Sequence, residues 1–319
     1  MNRLDKFRGC LIGGAVGDAL GYPVEFLSYD EILEEYGSCG IVSFGSGLIS
    51  DDTQMTLFTA QGLLDAKDSK YVESVWKCYR DWYVTQSEEF GIHSGCRLLS
   101  IPELFSLRAP GNTCLSAIRN RVMGTIEHSI NDSKGCGGIM RVAPVGLFGQ
   151  PLLAADIAAT THDHPLGYIP AAALAYMIDC IVNNGSISLL DVVERMVHVM
   201  EVEFKENPFL DTFIDLIHRA IFLSKRDLND ADAIRMLGEG WVAEETLAIA
   251  IYCVLKYPDN FDNAVIASVN HDGDSDSTGA VTGNILGAYL GLNAIPKHFL
   301  EHLELRDVII QMADDLYSL

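Results

Sequence analysis

Residues 3–23 read RLDKFRGCLIGGAVGDALGYP. Leu4, Phe7, Leu11, Val16 and Leu20 recur at helical spacing, and Gly9, Gly13, Gly14, Ala15, Gly17 and Ala19 fall between them. That many glycines weaken a lone helix, each by roughly 1 kcal/mol relative to alanine. The pattern makes sense where a second helix comes so close that side chains would be in the way. Pro23 ends it. The stretch therefore predicts a helix over 3–20, packed tightly among other helices. Gly13-Gly14-x-x-Gly17 is not a phosphate loop, because no Gly-Lys-Ser/Thr follows, and it does not fit G-x-G-x-x-G.

Outward from there the helical spacing continues. It predicts helices from Ser50 to about Ala66 and over Tyr71–Thr85, Thr113–Ile130 and Leu152–Thr160. Further helices are expected over Ala171–Val182 (with Pro170 at its start), Ser188–Glu203, Phe209–Ser224, Asp230–Leu237 and Ala243–Lys256. Asp262–Asn270, Ser277–Leu290 and His298–Tyr317 complete the set. Ile41–Phe44 is at most a short strand in a Gly/Ser-rich loop. Trp76, Trp82 and Tyr83 at helical spacing read as core. No repeat, linker or composition break divides the chain. The expectation is one all-α domain over residues 1–319, a compact multi-helix bundle with its function in loops at one end.

The chain has 319 residues, 22 Lys+Arg against 44 Asp+Glu, and a net charge of −22. It offers no basic stripe for nucleic acid, and the acidic surface reads as solvated. The eight cysteines include no C-x-x-C pair. They read as reduced, scattered thiols of a cytoplasmic protein. The apolar run Leu11–Val16 behind Arg3, Lys6 and Arg8 is short and cut by Asp18, which argues against a signal peptide. No apolar run is expected to reach transmembrane length, so no membrane partner is expected.

Chemistry is concentrated in two acidic stretches, Ser50-Asp51-Asp52-Thr53 and Asp272-Gly273-Asp274-Ser275-Asp276-Ser277-Thr278. Carboxylates packed together repel unless water covers them or a cation neutralises them. Their hard oxygens suit Mg²⁺, Mn²⁺ or Ca²⁺. Two solvated helix caps would look the same taken singly. The second stretch is not an EF-hand, because its sixth and twelfth positions are Ser277 and Gly283 rather than Gly and Glu. His162-Asp163 and His271-Asp272, with His93 or His128, admit an all-α phosphohydrolase that binds metal through His-Asp pairs. Gly135-Cys136-Gly137-Gly138 offers unobstructed amides, as a turn or as an anion cradle. Arg141 beside it is expected to hold the loop through an internal ion pair.

Taken together these segments resemble the ADP-ribosylglycohydrolase family. The resemblance rests on Gly13–Gly21 with Pro23 and Glu25, on Ser50–Thr53, and on Arg108-Ala109-Pro110-Gly111-Asn112-Thr113. It rests also on Gly135–Arg141, Thr161-His162 and Gly273–Ser277, all in family order. It implies an all-helical fold around two divalent cations, Mg²⁺ or Mn²⁺. By matching positions, Ser50, Asp51 and Asp52 would bind them from one side and Asp274, Asp276 and Ser277 from the other. The family has Thr where this chain has Ser50 and Ser277, and the hydroxyl is kept. Glu25 would lie over the site. Asn112, the loop Gly135–Gly138 and His162 would line the ADP-ribose site.

The expected reaction is hydrolysis at C1″ of an ADP-ribosylated side chain, with ADP-ribosyl-arginine foremost. Water activated at the site would attack while Glu25, Asp52 or Asp276 takes its proton. Diphosphate would rest on glycine-loop amides. The partner would be an ADP-ribosylated protein or a small molecule carrying ADP-ribose. A catalytically silent or toxin-neutralising member of the same fold is the alternative, with an ADP-ribosyltransferase or toxin as its partner.

Overall fold

The computed structural model describes residues 2–319. Its helices run in chain order α1 (Arg3–Gly21), α2 (Tyr29–Tyr36), α3 (Asp51–Asp65), α4 (Tyr71–Ser87), α5 (Asn112–Asn120), α6 (Ala143–Phe148), α7 (Leu153–Ala159) and α8 (Pro165–Asn183). They continue as α9 (Leu189–Glu203), α10 (Leu210–Ser224), α11 (Asp230–Arg235), α12 (Ala243–Lys256), α13 (Phe261–Val269), α14 (Ser275–Leu290), α15 (Lys297–His302) and α16 (Arg306–Tyr317). Among the described residues no strand forms. Ile41–Phe44 is irregular, and one isolated bridge joins Gly135 to Val242.

The glycine stripe of α1 packs against a matching stripe on α14. A Cβ added at Gly13 would stand 2.3 Å from the carbonyl oxygen of Gly283, and one at Gly17 only 1.9 Å from that of Gly279. Gly9 meets Gly287 and Gly21 meets Ser275 in the same way. Partner numbers fall as α1 numbers rise, so the helices are antiparallel and touch backbone to backbone. The C-terminus of α1 therefore lies beside the N-terminus of α14. Asn284 secures the contact by donating Nδ2 to the Cys10 carbonyl at 2.9 Å.

Elsewhere the structure redraws several boundaries. α5 stops at Asn120, ten residues before the expected Ile130, because Arg121 takes a left-handed φ of 56° and ends the ladder. The loop beyond is held by Asp163, which accepts from the Ile130 amide at 2.6 Å and the Ser129 hydroxyl at 2.8 Å. α8 begins at Pro165, not after Pro170. His164 caps it, and Pro165 supplies the fixed φ suited to a first position. Pro170 sits inside the helix. α8 also corrects the expectation about apolar length. It is 19 residues at mean hydropathy 1.5, enough to cross a bilayer by length and composition, but 83% of that window is buried inside the fold. α2 was not anticipated; a capping box between Ser28 and Glu31 starts it. The final helical stretch is broken at Leu303–Leu305, where Leu305 has a φ of 55°.

Candidate active site

Both acidic stretches occupy helix N-termini. Ser50 is the N-cap of α3, and its hydroxyl accepts from the Asp52 amide at 3.2 Å. Asp51 and Asp52 fill the first turn. Asp274 caps α14, accepting from the Ser277 amide at 3.3 Å, and Asp276 follows in its first turn. The N-cap is thus Asp274, whereas the sequence had suggested Ser277. The positive ends of two helix dipoles point at these carboxylates. The antiparallel α1–α14 contact brings α14's first turn to the end of α1, and the short turn Tyr22–Val24 delivers Glu25 there.

Asp18 locks α3 against α1, a role the sequence did not reveal. Its fully buried carboxylate accepts from the Ser50 amide at 2.9 Å, from the Thr53 amide at 3.1 Å and from the Thr53 hydroxyl. Asp51 is fixed by a loop kinked at Ala109, which has a φ of 52°. Its amide donates to the Arg108 carbonyl at 3.0 Å, and its carboxylate accepts from the Gly111 amide at 3.3 Å. The flanking Arg108 is paired with Glu304 at 3.0 Å.

Glu25, Asp274 and Asp276 each bring an oxygen within 4.8 Å of the others. Asp51, Asp52 and Ser277 line the same cavity, of about 350 Å³. All these carboxylates are buried. Desolvation, then the charge of Asp276 and its neighbours, pushes Glu25 up to about 10 and Asp51 and Asp52 well above their ordinary range. Burial first and Asp276 second raise Asp18 to about 7. The oxygens Glu25 Oε2, Asp52 Oδ2 and Asp274 Oδ2 are buried without a hydrogen-bond partner. No Lys or Arg forms an ion pair with any of these acids among the described residues. Unpaired hard oxygens, mutual repulsion and no basic counter-ion fit a divalent cation.

The cavity wall opposite is the glycine loop. Gly135, Cys136 and Gly137 line it; Gly138 lies behind them, against Gly167 and the His162 side chain. Fewer loop amides face the cavity than the sequence suggested, because the Cys136 amide donates to the Trp241 carbonyl at 3.1 Å. The Cys136 thiol lies against Asp274 and Ser277. A Cβ at Gly137 would come within 2.9 Å of the His162 ring, so only glycine fits there without a shift.

His162 is anchored through Thr161. Arg141 Nη2 donates to Thr161 Oγ1 at 2.6 Å, and Thr161 Oγ1 lies 2.8 Å from His162 Nδ1. An arginine only donates, so the Thr161 hydroxyl oxygen accepts from Arg141 while it holds Nδ1, and Nε2 faces the loop. Burial, with Arg141 adding to it, drops His162 to about 3, so the ring stays neutral. Arg141 departs from the expected internal ion pair. It is fully buried, stacked 4.3 Å over the Tyr79 ring, with no carboxylate partner. Asn112 and Thr113 complete the wall at the N-terminus of α5. Phe26 and Trp241 also line the cavity, stacked on one another at 5.8 Å and 19°. Phe26 is 72% exposed. A lone exposed aromatic gave no signal in sequence.

Outside His162, the His-Asp dipeptides serve structure. Asp163 holds the 129–131 loop, and His271 bonds Thr278 Oγ1 at 2.9 Å. Asp272 takes the Tyr29 amide and Arg235 instead of facing the cavity. Neither close cluster of potential metal ligands among the described residues contains a histidine.

Comparison with known proteins agrees with this geometry. The ADP-ribosylglycohydrolase family model matches residues 1–319. The chain belongs to that family. Membership makes this glycohydrolase a hydrolase of ADP-ribose linkages. It is 27% identical to the ADP-ribosyl-[dinitrogen reductase] glycohydrolase of Rhodospirillum rubrum, over 95% of this chain and 91% of that one. It is 26% identical to the ADP-ribosylarginine hydrolase Tri1 of Serratia proteamaculans, over 98% of this chain and 79% of that one. A solved structure titled as an ADP-ribosylglycohydrolase-related protein complex superposes with a TM-score of 0.68 at 25% identity, covering 99% of this chain and 98% of the other.

Proposed function

We propose that the glycohydrolase releases ADP-ribose from ADP-ribosyl-arginine on a protein, using the acidic cavity floor and two divalent cations, Mg²⁺ or Mn²⁺. The observation that carries the reading is the set of buried carboxylates from α1's end, α3 and α14, with three oxygens unpartnered. Ser50, Asp51, Asp52, Asp274, Asp276 and Ser277 would hold the cations. When bound, these supply Lewis acidity and positive charge at the ribose. Its likeness to the Serratia ADP-ribosylarginine hydrolase supports arginine as the linkage to test first.

The chain's own residues divide the remaining work. Cleavage at C1″ builds oxocarbenium character, which the carboxylate cluster stabilises. Glu25, buried within 4.8 Å of Asp274 and Asp276, is placed to hold or pass a proton at the attacking water. Asp52 and Asp276 share that task through the cluster. Neutral His162 offers its Nε2 nitrogen, and Asn112 its amide, to the polar groups of ADP-ribose. Gly135, Cys136 and Gly137 let the substrate approach the backbone. The Phe26–Trp241 pair gives the purine a flat apolar surface.

The test is release of ADP-ribose from an ADP-ribosyl-arginine peptide with Mg²⁺ or Mn²⁺, run beside serine-linked and free-metabolite substrates. Asp52→Ala and Asp276→Ala should each lose at least a hundredfold in kcat/KM. Undiminished release by both would sink the carboxylate-centred reading. Turnover of the serine-linked substrate alone would sink the arginine assignment.

A further inference from the structure

A second cluster of metal-ligating side chains lies apart from the cavity just described, where α4 meets the loop before the 3₁₀ turn Arg97–Ser100. Cys78 and Asp81 are three residues apart on one face of α4. Cys96 reaches them from the loop, in extended conformation. One ligand atom from each lies within 4.8 Å of the other two. Cys78 is 2% exposed and Asp81 9%. The two sulfurs are neighbours, within 4.8 Å of one another.

The loop is shaped to this carboxylate. The Cys96 amide donates to Asp81 Oδ2 at 2.8 Å. A Cβ at Gly95 would strike the same oxygen at 2.7 Å. Asp81 has no ion-pair partner among the described residues, although Lys77 and Arg80 are on its own helix. A nearly buried carboxylate with one accepted hydrogen bond is thus set beside two thiols, with no ion-pair partner of its own.

We propose that Cys78, Asp81 and Cys96 form a second metal site that takes a thiophilic divalent cation, Zn²⁺ by preference, with water in the fourth position. Two sulfurs and a carboxylate oxygen are a zinc donor set, distinct from the oxygen-only set of the active site. Tetrahedral Zn–S bonds of about 2.3 Å place sulfurs about 3.8 Å apart, so the loop need close by only about 1 Å. Binding drives both thiols to thiolates and releases their protons to solvent. Asp81, with Ser94 and Gly95, also lines an adjoining cavity of about 810 Å³, which has room for the water. Lys77, Arg80, Arg119 and Arg121 rim that cavity and balance the residual negative charge of a three-anion site. The bound ion would pin the loop to α4.

The test is Co²⁺ titration of the reduced, chelator-stripped full-length protein in excess Mg²⁺, which occupies oxygen sites without competing for thiols. One equivalent should raise a thiolate-to-cobalt charge-transfer band in the near ultraviolet, and Zn²⁺ should displace it. Cys78→Ser and Cys96→Ser should each abolish the band, whereas Cys136→Ser should leave it. Asp81→Asn, which keeps both thiols and the loop contact, should weaken Co²⁺ binding at least tenfold. Three results would overturn the proposal: no band with both thiols reduced, a band that disappears with Cys136→Ser, or Asp81→Asn binding as tightly as the parent.

Discussion

Gly17→Ala places the least space-demanding side chain at the tightest point of the α1–α14 contact. The new Cβ would stand 1.9 Å from the Gly279 carbonyl oxygen, where ordinary contact begins near 3.4 Å, so the helices must part by about 1.5 Å. The obstacle is backbone, and no rotamer relieves it. Overpacking of this kind costs about 3 kcal/mol or more, and alanine's better helix propensity returns about 1. A net loss of about 2 kcal/mol or more in so long a chain lowers Tm by about 3 °C or more.

The second consequence is functional. Gly279 lies one turn from Asp276, and α1 leads directly to Glu25. Displacement there separates the two sides of the carboxylate cluster and should weaken Mn²⁺ binding about tenfold or more. Scanning calorimetry and isothermal titration read the two effects. Gly45→Ala is the control, because nothing lies within 4 Å of its added carbon; it should stay within about 0.5 kcal/mol of the parent. If Gly17→Ala melts with Gly45→Ala and binds Mn²⁺ equally well, backbone contact between α1 and α14 does not set the site.

The raised carboxyls make the cation-free protein pH-sensitive. Asp18 at about 7 and Glu25 at about 10 keep protons in the fold that the unfolded chain releases near 4. Their stability contribution is therefore complete below about pH 4 and is lost as pH rises through 7 toward 10. Tm measured in chelator should fall steadily from pH 5 to 9, and saturating Mn²⁺ should flatten the fall. Trp241→Ala should raise KM for an ADP-ribosylated peptide severalfold with kcat little changed, since the indole would touch the purine and not C1″. Arg141→Met removes the donor to Thr161 and loosens the anchoring of the His162 ring. It should cost about 2 kcal/mol by denaturant melts and reduce kcat beyond that loss. An unaltered kcat would refute the positioning role.

Close helix packing was legible in the glycine spacing of residues 3–20, because only missing side chains let backbones touch. The two acidic stretches were legible because Ser and Asp at helix starts carry a local signal. Boundaries were less so. Arg121 and Leu305 end or break helices through positive φ at residues whose type gives no warning. The ion pair expected of Arg141 gave way to an aromatic ring and a hydroxyl, since nothing local says which helices will surround a side chain.

By itself, then, the sequence determined the helical class, the family and the acidic residues that the fold gathers at one cavity. These are set by residue type and short-range spacing. Only the tertiary structure decided that α1 and α14 run antiparallel, which carries Glu25 to Asp274 and Asp276 across some 250 residues of chain. It alone gave Asp18 its place beneath Ser50 and Thr53, paired Phe26 with Trp241, and set Cys78 and Asp81 against Cys96. Those meetings depend on which backbones can approach within touching distance, and that is a property of the packed molecule.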